Sequence, residues 1–160
     1  MAREIHSYDY VNRPYPQVRD LLSKDALAVF RSATRAAASR AQSLASQLHV
    51  DLGAIAVEAD INISIKSIEE KAPEGISGPS TRLLLEWEAA KMPRLFPLMT
   101  AELSVYPLTA TETQLDFLGH YEPPLGAVGK AINAVVGHRI AEASVHRFLA
   151  DVAGYLRETR

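Results

Sequence analysis

The feature that most narrows what this chain can fold into is its last quarter, LDFLGHYEPPLGAVGKAINAVVGHRIAEASVHRFLADVAGYLRE, residues 115–158. Leu115, Phe117, Gly119 and Tyr121 alternate with Gln114, Asp116 and His120, the period-two pattern of a strand. Pro123 and Pro124 end it, because proline brings no N–H to a sheet ladder, and a long helix-forming run follows. A helix of that length lies across several strands at once. The segment therefore calls for a sheet with a hollow side to receive it.

The preceding residues supply the sheet. Residues 3–12 read as a first strand, with Ile5, Ser7, Asp9 and Val11 on one side and His6, Tyr8 and Tyr10 on the other, neither side plainly the core. After Pro14 and Pro16 come about two helical turns through PQVRDLL. A second, Ala-rich helix over residues 25–47 follows, capped by Ser23 or Asp25. Its apolar face is expected at Leu27, Phe30, Ala33, Ala37, Ala41, Leu44 and Leu48.

A short strand is expected over residues 48–52. Strict alternation from Ile55 to Ile65 makes residues 54–66 the clearest strand in the chain. The polar stretch EEKAPEGISGPS then forms a long connection. Residues 81–91 form a further strand with Leu83, Leu85, Trp87 and Ala89 on one face. Residues 98–106 form another, with Met99, Ala101, Leu103 and Val105 inward and Pro107 as its stop. The pattern predicts an α+β fold: one antiparallel sheet wrapped around a long C-terminal helix, with two N-terminal helices after the first strand.

Composition removes several classes. The chain has 160 residues, 17 basic and 19 acidic, and no cysteine. That length is one domain, residues 1–160, able to bury ~70% of its unfolded surface without a staple. A formal charge of −2 supplies no field for nucleic acid, and Arg31, Arg35 and Arg40 read as a solvated helix face rather than a phosphate-binding stripe. No apolar run approaches the ~20 residues of a membrane span, and the N-terminus lacks the pattern of a signal peptide, so a cytoplasmic protein is the expectation. His138 and Glu142 have metal-ligand spacing but no HExxH or thiolate company, so neither a metal nor a cofactor is expected. Glu86 and Glu88 share the strand face opposite Leu85, a solvated position rather than a two-carboxylate catalytic site.

The order of elements, together with LDFLGHYEPPLGAVG followed by GHRIAEASVHRFLADVA, resembles the START-related helix-grip superfamily. That superfamily includes pollen allergens, lipid-transfer START domains, aromatic polyketide cyclases and coenzyme Q-binding proteins; the chain looks like a bacterial branch of it. The long Ala-rich second helix departs from the usual plan. The resemblance implies a space between sheet and terminal helix that takes a ligand, but it does not choose among carriers, enzymes and sensors.

On the strands, Trp87, Met99, Leu103, Phe117 and Tyr121 are candidate lining. Composition alone would make them core, and the resemblance implies a hollow instead. On the terminal helix, Leu125, Val128, Ile132, Val135, Val136, Arg139 and Ala143 share one stripe, while Val145, Phe148, Leu149, Val152 and Leu156 fall nearly opposite. Val128, Ile132, Val135 and Arg139 join the candidate lining. Gly137 is a candidate kink between the stripes, and packing of both stripes within the chain is expected, with a homodimer as the alternative. Arg139 could bind a ligand oxygen or simply pair with Glu142 or Glu122.

Three functions follow. One is a carrier of a lipid, isoprenoid, quinone or polyketide. Another is a cyclase in which Tyr121 and Arg139 polarise a carbonyl while a histidine moves the proton. The last is a non-catalytic interaction protein that binds a partner through the arginine-bearing second helix or the second stripe of the terminal helix, with a filled core and an exposed apolar strip. Whether the protein is an enzyme is left open by the sequence, and no catalytic residue is assigned.

Overall fold

The computed structural model describes residues 3–47, 61–74, 78–89, 99–121 and 134–158. The elements are β1 (Arg3–Val11), α1 (Tyr15–Gln47), β2 (Ile61–Lys71), β3 (Ser80–Ala89), β4 (Met99–Thr109), β5 (Glu112–Tyr121) and α2 (Ala134–Glu158). All five strands form one antiparallel sheet in the order β1-β5-β4-β3-β2, and both helices pack on the same, inner face. This is the α+β arrangement of a sheet gripping a C-terminal helix.

The register places residues in rows across the inner face. Ser7, Phe117, Leu103 and Leu83 form one row. Ile5, Gly119, Ala101, Leu85 and Ile65 form the next, and Arg3, Tyr121, Met99, Trp87 and Ile63 the one beyond. Leu83, Leu103, Leu115 and Phe117 are fully buried, as alternation in β3, β4 and β5 requires. In β1 the core side is that of Ile5, Ser7 and Val11, and Tyr8 on the other side is 71% exposed.

Of the two stripes on α2, the one carrying Val145, Phe148, Leu149, Val152 and Leu156 enters the core. α2 runs unbroken through Gly137. Phe148 stacks on Phe30 of α1 with centroids 5.9 Å apart and meets the edge of Phe117 of β5 at 5.8 Å. Three phenyl groups from three elements thus lock helix to helix and helix to sheet, in the offset geometries that aromatic quadrupoles favour.

Arginines fasten the far end of α2. Arg13 donates to the Leu156 carbonyl at 2.8 Å, satisfying an orphan acceptor of the last helical turn. Arg157 donates to the Tyr10 carbonyl at 2.7 Å and pairs with Asp9 at 3.6 Å, covering part of the β1 edge.

Several expectations are corrected. The two expected N-terminal helices run together as one element, α1, but they meet at a kink at Asp25, one of the two anticipated cap positions, whose backbone (φ −130°, ψ 31°) is not helical. Ser23 does not start a new helix. Its hydroxyl donates back to the Arg19 carbonyl at 2.9 Å, the kind of bond that bends a helix. The buried face of α1 runs through Leu22, Ala26, Val29, Phe30, Ala33 and Ala37, which leaves Leu27 54% exposed.

β2 continues past Ile68, so Glu69, Glu70 and Lys71 pair with Arg82, Thr81 and Ser80 and the polar connection is shorter than expected. β4 passes through Pro107 to Thr109. There the ladder shifts register and β3 no longer lies alongside, so a missing N–H costs no sheet bond. The strand expected over residues 48–52 and the first part of the one over residues 54–66 lie outside the described residues.

Candidate functional site

The inner face is not covered evenly. Along the Phe117, Leu103 and Leu83 row the side chains are sealed beneath the helices. One row further, Gly119 and Ala101 stand side by side, two minimal side chains in the middle of the sheet floor. A Cβ on Gly119 would lie 2.8 Å from the Met99 sulfur and 2.9 Å from a Phe117 ring carbon, so these groups lean over the bare backbone. Toward the β2 edge, Ala101, Ile65 and Ile63 remain half-buried although they belong to the apolar face. Among the described residues the sheet therefore presents a shallow, partly covered apolar area packed against its sealed core.

A polar relay borders this area. Tyr121, 5% exposed, shares a hydrogen bond of 2.7 Å with His138 Nδ1 and lies nearly parallel to the imidazole, with ring centroids 6.0 Å apart. His138 Nε2 faces a Glu142 carboxylate oxygen at 3.5 Å, one helical turn along α2. Burial raises the Tyr121 pKa above its ordinary 10.0; the Arg3 charge lowers it and the Glu142 charge raises it, with burial the strongest influence. The phenol is therefore held in its protonated form.

Above pH 10 the unfolded chain releases this proton before the folded one does, so the stabilisation is complete below about pH 10 and is lost as the pH rises further. Tyr121→Phe is expected to flatten the alkaline decline of stability, read by chemical denaturation between about pH 9 and pH 11. Part of the slope persists, since burial and then Asp116 raise the Tyr106 pKa as well.

The positions anticipated from sequence fall into distinct surroundings. Leu103 and Phe117 sit in the sealed core, and Met99 and Tyr121 are buried next to the shallow area. Arg139 is exposed on α2. Trp87 lies in β3 between Ile63 and Met99 in register, and Val135 lies in the first turn of α2; the side chains of both are outside what is described. Val128 and Ile132 lie outside the described residues altogether. Among the described residues no three His, Asp or Glu side chains gather as a metal site, and no helix is long and apolar enough to cross a membrane.

Sequence reasoning paired His138 with Glu142 by spacing and singled out Tyr121 apart from them, but not the union of the three, which no local spacing signals because Tyr121 and His138 are 17 positions apart. It also did not anticipate the pair formed by the buried Ser7 hydroxyl and His146 Nδ1, 2.9 Å apart, which joins β1 to α2. Here a histidine satisfies a buried hydroxyl, a structural role.

No known family profile matches the chain, and no curated protein matches it. Among solved structures, the chain is similar to the Zhui aromatase/cyclase from a Streptomyces species, at 16% identity over 100% of this chain and 97% of that one, with a TM-score of 0.47. It is also similar to a START superfamily protein from Mycobacterium smegmatis, at 12% identity over 98% of this chain and 99% of that one, with a TM-score of 0.46. Both are proteins of the kinds named by the sequence resemblance. At these identities and TM-scores the likeness carries nothing about activity.

Proposed function

We propose that this protein binds a hydrophobic small molecule between the sheet and α2, its apolar body on Ala101, Ile65 and Ile63 and its polar end at the Tyr121 hydroxyl. The observation that carries the reading is the unsealed apolar area with a buried, oriented phenol at its border. Ligand pockets combine these two features, a mostly apolar wall and a few fixed polar groups. The small side chain of Ala101 leaves room that a leucine would fill.

Alternative readings find less support. A cyclase of the polyketide type could draw on the same phenol and imidazole, but Arg139, which was to polarise the carbonyl, is exposed. An interaction protein using the second stripe of α2 needs that stripe on the surface. Phe148, Val152 and Leu156 of the stripe are instead fully buried.

Native mass spectrometry of protein purified from the cells that make it, followed by denaturation and analysis of released small molecules, tests the proposal. A stoichiometric apolar compound is the expected result. A clean apo mass together with no thermal stabilisation by lipids, quinones or polyketides would remove the proposal.

A further inference from the structure

We infer that the polar end of this site accepts a hydrogen bond from a neutral hydroxyl group, so that the ligand is an apolar phenol or alcohol rather than a carbonyl compound or a carboxylate. The inference rests on the binding function proposed above and deepens it.

The argument follows protons along the relay. In a neutral imidazole one ring nitrogen carries hydrogen and the other a lone pair, and neighbours decide which. His138 Nε2 faces the Glu142 carboxylate at 3.5 Å, and a hydrogen on Nε2 is the tautomer that this contact favours. Nδ1 is then an acceptor, and the Tyr121 hydroxyl 2.7 Å away donates to it. A phenol has a single proton, and this one is committed to His138. What the Tyr121 oxygen retains for a ligand is its lone pairs.

A molecule reaching that oxygen must bring its own hydrogen. An alcohol or phenol does. A carbonyl would set oxygen against oxygen with no proton between them, leaving both unsatisfied in an apolar setting. A carboxylate would meet the same lone pairs and add a negative charge close to Glu142. Among the described residues the opposing cation is Arg3, level with Tyr121 in the register, whose charge acts on the phenol. Among the described residues no hydrogen bond runs from Arg3 to Tyr121, so Arg3 moderates the field without supplying the missing proton.

Matched probes of one shape separate these chemistries: naphthol, naphthaldehyde and naphthoate, titrated into the full chain by isothermal calorimetry. Naphthol is expected to bind at least about 10-fold more tightly than either of the others. Tyr121→Phe keeps the ring and is expected to abolish the preference. Glu142→Gln alters an exposed position, leaves folding intact and is expected to narrow the preference by releasing the imidazole tautomer. Binding of the aldehyde or the naphthoate as tight as that of naphthol, or a preference that survives Tyr121→Phe, overturns the inference while leaving the binding function in place. Failure of all three probes to bind overturns the inference, while the binding function itself is decided by the mass-spectrometric test above.

Discussion

Phe148→Ala is expected to destabilise the protein by about 3–5 kcal/mol, the range for truncating a fully buried phenyl group. The upper part of that range applies because Phe148 is in contact with rings on both sides, Phe30 of α1 and Phe117 of β5, and has no exposed surface through which the cavity could collapse. For a domain of this size the midpoint of thermal unfolding should drop by roughly 10 °C. Arg139→Ala on the exposed side of the same helix should shift it little, within about 0.5 kcal/mol. Urea denaturation of the two variants side by side checks the contrast. A mild effect of Phe148→Ala would mean that α2 is not locked to the sheet through this ring.

Ala101→Leu should have the opposite profile, a large loss of ligand with a small change in stability. Ala101 sits between Gly119 and Leu85 on the sheet floor and is only half-buried, so a longer side chain extends into the space assigned to the ligand rather than into packed core. Overpacking a sealed position costs about 1–3 kcal/mol, and Ala101 should cost less. Naphthol affinity should fall by at least about 10-fold, the equivalent of roughly 1.4 kcal/mol. If Ala101→Leu unfolds the protein, the area is a filled core. If it binds naphthol unchanged, the ligand lies elsewhere.

Much of the architecture was legible in the sequence because β3, β4 and β5 each bury one face and leave the other wet. Leucines, Met99 and Phe117 at alternate positions then announce their own orientation. β1 carried no such sign, for its buried side includes Ser7 and Asp9 while Tyr8 and Tyr10 face out. Only α2 explains this. His146 satisfies Ser7, and Arg157 pairs with Asp9 while its guanidinium lies 5.8 Å from the centre of the Tyr10 ring. Partners more than a hundred residues away decided which face of β1 was inside.

The same dependence limited the reading of the helices. Ser23 has two local uses, capping a new helix or donating back to the preceding turn; it donates to Arg19, and the kink between the two helical stretches of α1 falls at Asp25 instead. On α2 the sequence offered two apolar stripes, and the three-ring contact with Phe30 and Phe117 selected the one containing Phe148. That selection fixes the rotation of α2 about its axis. It turns Arg139 outward and sets His138 against Tyr121, so the relay follows from a core contact several turns away. Spacing along the chain holds no record of such a rotation. Tyr121 was therefore identifiable as a polar group on an apolar face, but its partner was not.

The measurement that tests the central claim most directly is methyl-labelled NMR of the naphthol complex, with intermolecular nuclear Overhauser effects recorded from ligand protons. The account predicts contacts to the methyl groups of Ile63, Ile65, Ala101 and Met99, and none to Leu27 or Leu108, which are exposed elsewhere. Contacts confined to those outer leucines, or a complex showing no contact with the inner face, would contradict it.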